Sequence, residues 1–103
     1  FLISQDIMDE YGLPEPTHHF NFDADGSIST SLDWELSVDQ AKQMAAYYTD
    51  LFSSGDSAAI LEAPELYEFE TEGFASDGTR LIVSVACCGD NRTVIIKRIY
   101  KEA

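Results

Sequence analysis

The sequence predicts an α+β domain, with an antiparallel sheet packed on one main helix at about residues 38–52, in the order α-ββ-α-βββ. Three observations carry this. Residues 18–36 and 66–100 alternate apolar and polar side chains with period two. Between them, apolar residues recur every three to four positions. Gly-containing turns divide the alternating stretches, as in hairpins and meanders. At 103 residues the chain is read as one domain, 1–103.

The first element is a short helix at about residues 4–11. Ser4 caps it, Gly12 ends it, and Pro14 and Pro16 forbid its continuation. Ile3, Ile7, Met8 and Tyr11 recur at helical spacing and form its packing side.

Residues 18–36 read as a hairpin with one wet face. Phe20, Phe22, Ile28, Leu32 and Trp34 share one parity, with Thr30 among them; Asn21, Asp23, Ser27, Ser29, Ser31, Asp33 and Glu35 take the other. The turn is placed at Ala24, Asp25 and Gly26, with Gly26 left-handed and Phe22 opposite Ile28.

Ser37 and Gln40 form a capping box. Ala41, Met44, Ala45, Tyr48 and Phe52 then line one helical face, and Ser53, Ser54 and Gly55 end the helix. Residues 57–61 suit one further helical turn before Pro64.

The last third reads as a meander with strands at about 66–73, 80–88 and 93–100. A turn at Ser76, Asp77 and Gly78 sets Tyr67 opposite Cys87, Phe69 opposite Val85 and Thr71 opposite Val83. The competing register puts Glu70 against Val85, and burying that carboxylate costs several kcal/mol. The turn around residues 89–92 leaves its register open by one residue. The sheet is expected to bend strongly or split after the first hairpin.

Charge is the unusual property. The chain holds 19 acids and 6 bases, a formal net of −13. A small domain needs only about 2–8 net charges for solubility, and the excess costs self-repulsion. Direct binding to nucleic acid or an anionic membrane is therefore disfavoured. No apolar run approaches the ~20 residues of a membrane-spanning helix. The charge is also uneven. Residues 1–79 carry 17 acids against the single base Lys42, a net of −16, whereas residues 80–103 carry +3.

The sharpest local feature is Glu68, Glu70 and Glu72, alternating with Tyr67, Phe69 and Thr71. On a strand these glutamates lie ~6.7 Å apart on one face. Glu62 and Glu65 add acids on the approach. Such a row either protects an edge strand from edge-to-edge pairing or replaces phosphates in a cationic groove. Lys97 offers partial neutralisation across the sheet. Asp23, Asp25, Asp33 and Glu35 make a second cluster, and Asp6, Asp9 and Glu10 a third.

Catalytic and metal motifs are incomplete. Residues 21–28 resemble the first eight positions of an EF-hand loop, but Leu32 stands where a bidentate Glu is needed. His18 and His19 are adjacent and point opposite ways on an extended segment. Cys87 and Cys88 are read as reduced thiols, Cys87 in the core by parity and Cys88 beside the turn. Asp6, Asp9 and Glu10 interrupt any signal-peptide pattern in residues 1–12.

The expectation is a cytoplasmic, non-enzymatic protein with no cofactor. It would block the basic nucleic-acid-binding groove of a partner, a nucleic-acid-processing enzyme or toxin, as an immunity protein, antitoxin or anti-CRISPR-type inhibitor does. The residues expected to bind are Glu62, Glu65, Glu68, Glu70, Glu72, Asp23, Asp25, Asp33 and Glu35. The alternative is an acidic adaptor or chaperone-like domain with an aliphatic stripe at Ile95 and Ile99, dimeric through an apolar sheet edge. A small enzyme with an enclosed pocket comes third.

Overall fold

Ser37 joins the two layers of the fold: it is the last residue of strand β2 (Ile28–Ser37) and the N-cap of helix α2 (Val38–Phe52). A computed structural model of the chain describes residues 3–22, 24, 26–63, 68–75, 77–88 and 90–101. The capping box is complete: Gln40 N–H donates to Ser37 Oγ, and Ser37 N–H donates to Gln40 Oε1. The helix ends on Ser53 in the left-handed region, at φ 51°. Ser53 is the first residue of the Ser53, Ser54 and Gly55 segment expected to end the helix.

Before this corner come α1 (Gln5–Tyr11) and β1 (Thr17–Phe22); after it come α3 (Ser57–Glu62), β3 (Glu68–Phe74), β4 (Arg80–Cys88) and β5 (Asn91–Lys101). Ser4 Oγ accepts from Ile7 N–H at the start of α1, and left-handed Gly12 ends it. Asp56 caps α3 through Ala58 N–H and Ala59 N–H. Leu66 and Tyr67 of the expected third strand lie outside the described residues.

All strand pairings are antiparallel, and the sheet runs β1-β2-β5-β4-β3. It is one continuous sheet rather than a split one, because β2 pairs with β5 over almost its whole length. Phe22 faces Ile28, Phe69 faces Val85 and Thr71 faces Val83, in the expected register. The open register near residue 89 resolves to the tightest connection, with Cys88 opposite Asn91.

Helix α2 buries Ala41, Met44, Ala45 and Tyr48 against Leu32, Trp34, Leu36, Val83, Val85, Val94 and Ile96. Each large side chain removed from water there contributes about 1.5–3 kcal/mol. Residues Ile7, Met8, Tyr11 and Leu13 pack against the same core, and Trp34 Nε1–H donates to the Pro14 carbonyl at 2.9 Å. Thus α1 and α2 cover the same side of the sheet. Helix α3 packs on α2, tied there by Lys42 Nζ, which donates to the Ala63 carbonyl.

Three parity-based core assignments are corrected. Phe20 and Phe22 stand on the helix side, yet are 59% and 74% exposed. A 15-residue helix is ~22 Å long, while the ten residues of β2 span ~33 Å. The helix runs from the Ser37 corner toward Gly73, so the β1–β2 hairpin tip overhangs it. Cys87, two strands from Leu36 in the same cross-strand row, is also exposed. Conversely, Ser29 and Ser31 on the expected wet face are buried.

Candidate protein-interaction face

The side of the sheet away from the helices is built by period-two alternation. Four cross-strand rows follow from the register. They are Glu35–Thr93–Ala86–Glu68, Asp33–Ile95–Ser84–Glu70, Ser31–Lys97–Ile82–Glu72 and Ser29–Ile99–Arg80–Phe74. Each begins on β2 and ends on β3. The first two are bracketed by carboxylates at both ends.

The face therefore has two acidic margins around a centre of mixed polarity, in which Thr93, Ser84, Lys97 and Arg80 stand among apolar residues. Glu68, Glu70 and Glu72 stand on the edge strand β3, with Asp33 and Glu35 three strands away. At ~4.8 Å per strand the margins are ~14 Å apart. Ile82, Ile95 and Ile99 lie between them, half-buried and without a helix over them among the described residues. Charge patterning alone did not single out Ile82; its parity, opposite to Val83 and Val85, is the signal that finds it.

Neutralisation across this face is partial. Arg80 Nε donates to Glu72 Oε2 at 2.9 Å. Both side chains are exposed, so this pair contributes about 0–1 kcal/mol. Glu70 Oε2 accepts from Ser84 Oγ at 3.3 Å, a neutral donor. Glu68 has no ion pair among the described residues. Lys97 shares Glu72's row but is two strands away, and makes no ion pair with a described residue. On β2, Asp33 Oδ2 lies 2.9 Å from His19 Nε2 of β1.

Three further bases with described side chains lie off this face. Lys42 and Arg92 are buried, and the Arg98 guanidinium sits 5.7 Å from the Tyr100 ring centroid on the helix side. Among the described side chains, the face sets five carboxylates against Arg80 and Lys97.

Not every expected residue joins it. Glu62 ends α3 in the helix layer and is separate from the margins, because α3 packs on α2. Asp6, Asp9 and Glu10 belong to α1, also in the helix layer. Asp23, Asp25 and Glu65 lie outside the described residues.

A recess of about 400 Å³ opens beside β1, lined by His18, His19, Phe20, Thr30, Ser31, Leu32 and Tyr100. His19 is directly opposite Ser31 and is in contact with Asp33, a serine, histidine and aspartate in proximity. No hydrogen bond joins Ser31 to His19 among the described residues.

Fold and face together define an α+β domain with one helix-covered sheet surface and one open, acid-margined surface. Comparison of the chain with protein-family models, curated proteins and solved structures finds no match. No helix among the described residues is long and apolar enough to cross a membrane.

Proposed function

We propose that this chain is a non-enzymatic acidic binding protein whose open sheet face occupies the basic nucleic-acid-binding groove of a protein partner. This is the mode of action of an immunity protein, an antitoxin or an anti-CRISPR-type inhibitor. The observation that carries the reading is the pair of carboxylate margins, Asp33 and Glu35 against Glu68, Glu70 and Glu72, facing the same way. Their spacing, ~6.7 Å along a margin and ~14 Å between margins, is on the scale of phosphate rows flanking a groove about 12 Å wide. Arginine and lysine bind either anion with charge-assisted hydrogen bonds. Ile82, Ile95 and Ile99 supply apolar contact between the margins. The net charge of −13 accelerates encounter with a basic partner and makes it salt-dependent. The proposed compartment is the cytoplasm, where such partners act.

Competitive capture tests this. The immobilised chain is exposed to lysate of its source organism at about 0.05 M salt, then eluted with short duplex DNA. Nucleic-acid-binding proteins are expected to be retained, released by DNA or by about 0.5 M salt, and absent from a Glu68→Lys/Glu70→Lys column. Retained proteins that DNA does not displace, or equal retention by the double variant, overturn the reading.

The isoleucine band favours a second reading, an adaptor that binds through apolar contact. It predicts association that is insensitive to salt and lost in Ile95→Lys.

A further inference from the structure

We propose that β1 is a self-association edge, through which two copies of this chain pair antiparallel about a two-fold axis into one continuous sheet. The sheet has two edges, β1 and β3. An edge strand exposes unpaired backbone N–H and C=O groups, and proteins protect such edges with charge, proline or bulges. Strand β3 is protected by Glu68, Glu70 and Glu72, which would oppose like charges in a second copy. Strand β1, with the sequence THHFNF, holds no acid, lysine, arginine or proline. All but one of its side chains are exposed. Its six pairs with β2 run without a shift, and the one register shift of this hairpin's sheet lies between β2 and β5.

Apolar surface accompanies this open edge. The Phe20 and Phe22 rings pack edge to face, centroids 4.9 Å apart, on the corner α2 does not reach. Tyr100, 48% exposed, borders the same corner, and the recess lined by His18, Phe20, Thr30, Leu32 and Tyr100 opens beside it.

Three arguments make the occupant a second copy. First, antiparallel pairing of a strand with itself is self-complementary. A register that keeps helix side with helix side brings both Phe20/Phe22 pairs together, each next to the other protomer's recess. Second, a chain of net −13 draws basic partners to its acidic margins. The acid-free edge is where two identical acidic chains meet least repulsion. Third, the area suits a reversible dimer. With about 200 Å² per phenylalanine, the exposed parts of Phe20 and Phe22 offer roughly 270 Å² per protomer. With the rest of β1 from both copies, the interface reaches roughly the 1,000 Å² lower bound of specific complexes.

This inference stands apart from the acidic face, and salt separates the two. Screening weakens attraction to a basic partner but relieves repulsion between two anionic copies. Sedimentation equilibrium is measured from about 10 μM to about 1 mM protein, in about 0.1 M and about 1 M NaCl. The mass is expected to rise from one protomer to two, several-fold more tightly at high salt. Phe20→Glu is expected to weaken the dimer at least about tenfold, and Glu70→Gln to leave it no weaker. Phe22→Glu serves the same purpose if circular dichroism shows Phe20→Glu unfolded. A parent chain that stays monomeric at the highest concentration and salt overturns the proposal. So do folded edge variants that dimerise like the parent, and a mass that climbs past two protomers.

Discussion

Lys42, the only base in the first 79 residues, donates its ammonium hydrogen bond to the backbone carbonyl of Ala63. It is buried beneath α3 and so is withdrawn from the acidic exterior. Helix α3 has six residues and no buried side chain, so it is marginal without this tether.

Lys42→Met keeps the aliphatic stem and removes the charged donor. The expected cost is about 1.5–3 kcal/mol, the range for a hydrogen bond from a charged group. Urea unfolding measures it. Amide exchange should rise first in Ser57–Glu62; unchanged protection there would mean the tether does not hold α3.

Gly73 lies under the Phe52 ring, where an added Cβ would come 2.4 Å from Phe52 Cδ1. Gly73→Ala therefore forces the end of α2 away from β3, at about 1–3 kcal/mol. The penalty should vanish in a Phe52→Ala background, since the two residues share one contact. A double-mutant cycle with no coupling rules out this contact as the reason for the glycine.

Glu68→Lys with Glu70→Lys should slow association with a captured basic partner on the order of tenfold or more at low salt. The melting temperature should move by no more than about 2 °C, because Glu68 and Glu70 are exposed and bonded to no cation among the described residues. Stopped-flow mixing and calorimetry read the two quantities separately. A large loss of stability would assign the row to folding.

Burial pushes the Tyr48 phenol well above its ordinary value of 10.0, with the neighbouring Tyr47 adding to the shift. In the unfolded chain the same phenol ionises near 10. Its contribution to stability is thus full below pH ~10 and is lost as pH rises above that value. Tyr100 is shifted the other way, chiefly because Thr30 Oγ1 donates to its phenol oxygen. Tyrosinate absorbance should report Tyr100 before Tyr48, and Tyr48 only as the near-ultraviolet dichroism disappears. Ionisation of Tyr48 with tertiary structure intact would contradict this.

The local elements were legible because their causes are local. The Ser37–Gln40 capping box and the 3.6-residue apolar spacing after it marked α2 to within a residue. Excluding Glu70 from the core identified the β3–β4 register. Half of the candidate face was legible too: the glutamate row on β3 and the acids of β2 were each visible as alternation. Their common orientation was not. It follows from β5 inserting between β2 and β4, a pairing between distant segments that no local pattern records. Phe20 and Phe22 face the helix side yet stay exposed because parity reports the side of the sheet a residue faces, not how far the covering helix reaches.

Residue order alone settled the helices, the strand parities and the partition of charge into −16 and +3, since each depends on near neighbours or on counting. Long-range packing decided the rest. It buried Lys42 and Arg92, aligned Asp33 and Glu35 with Glu68 and Glu70 across one open face, and left β1 as an edge whose own six residues hold no acid. Those outcomes depend on which strands become neighbours and which surface α2 is long enough to shield.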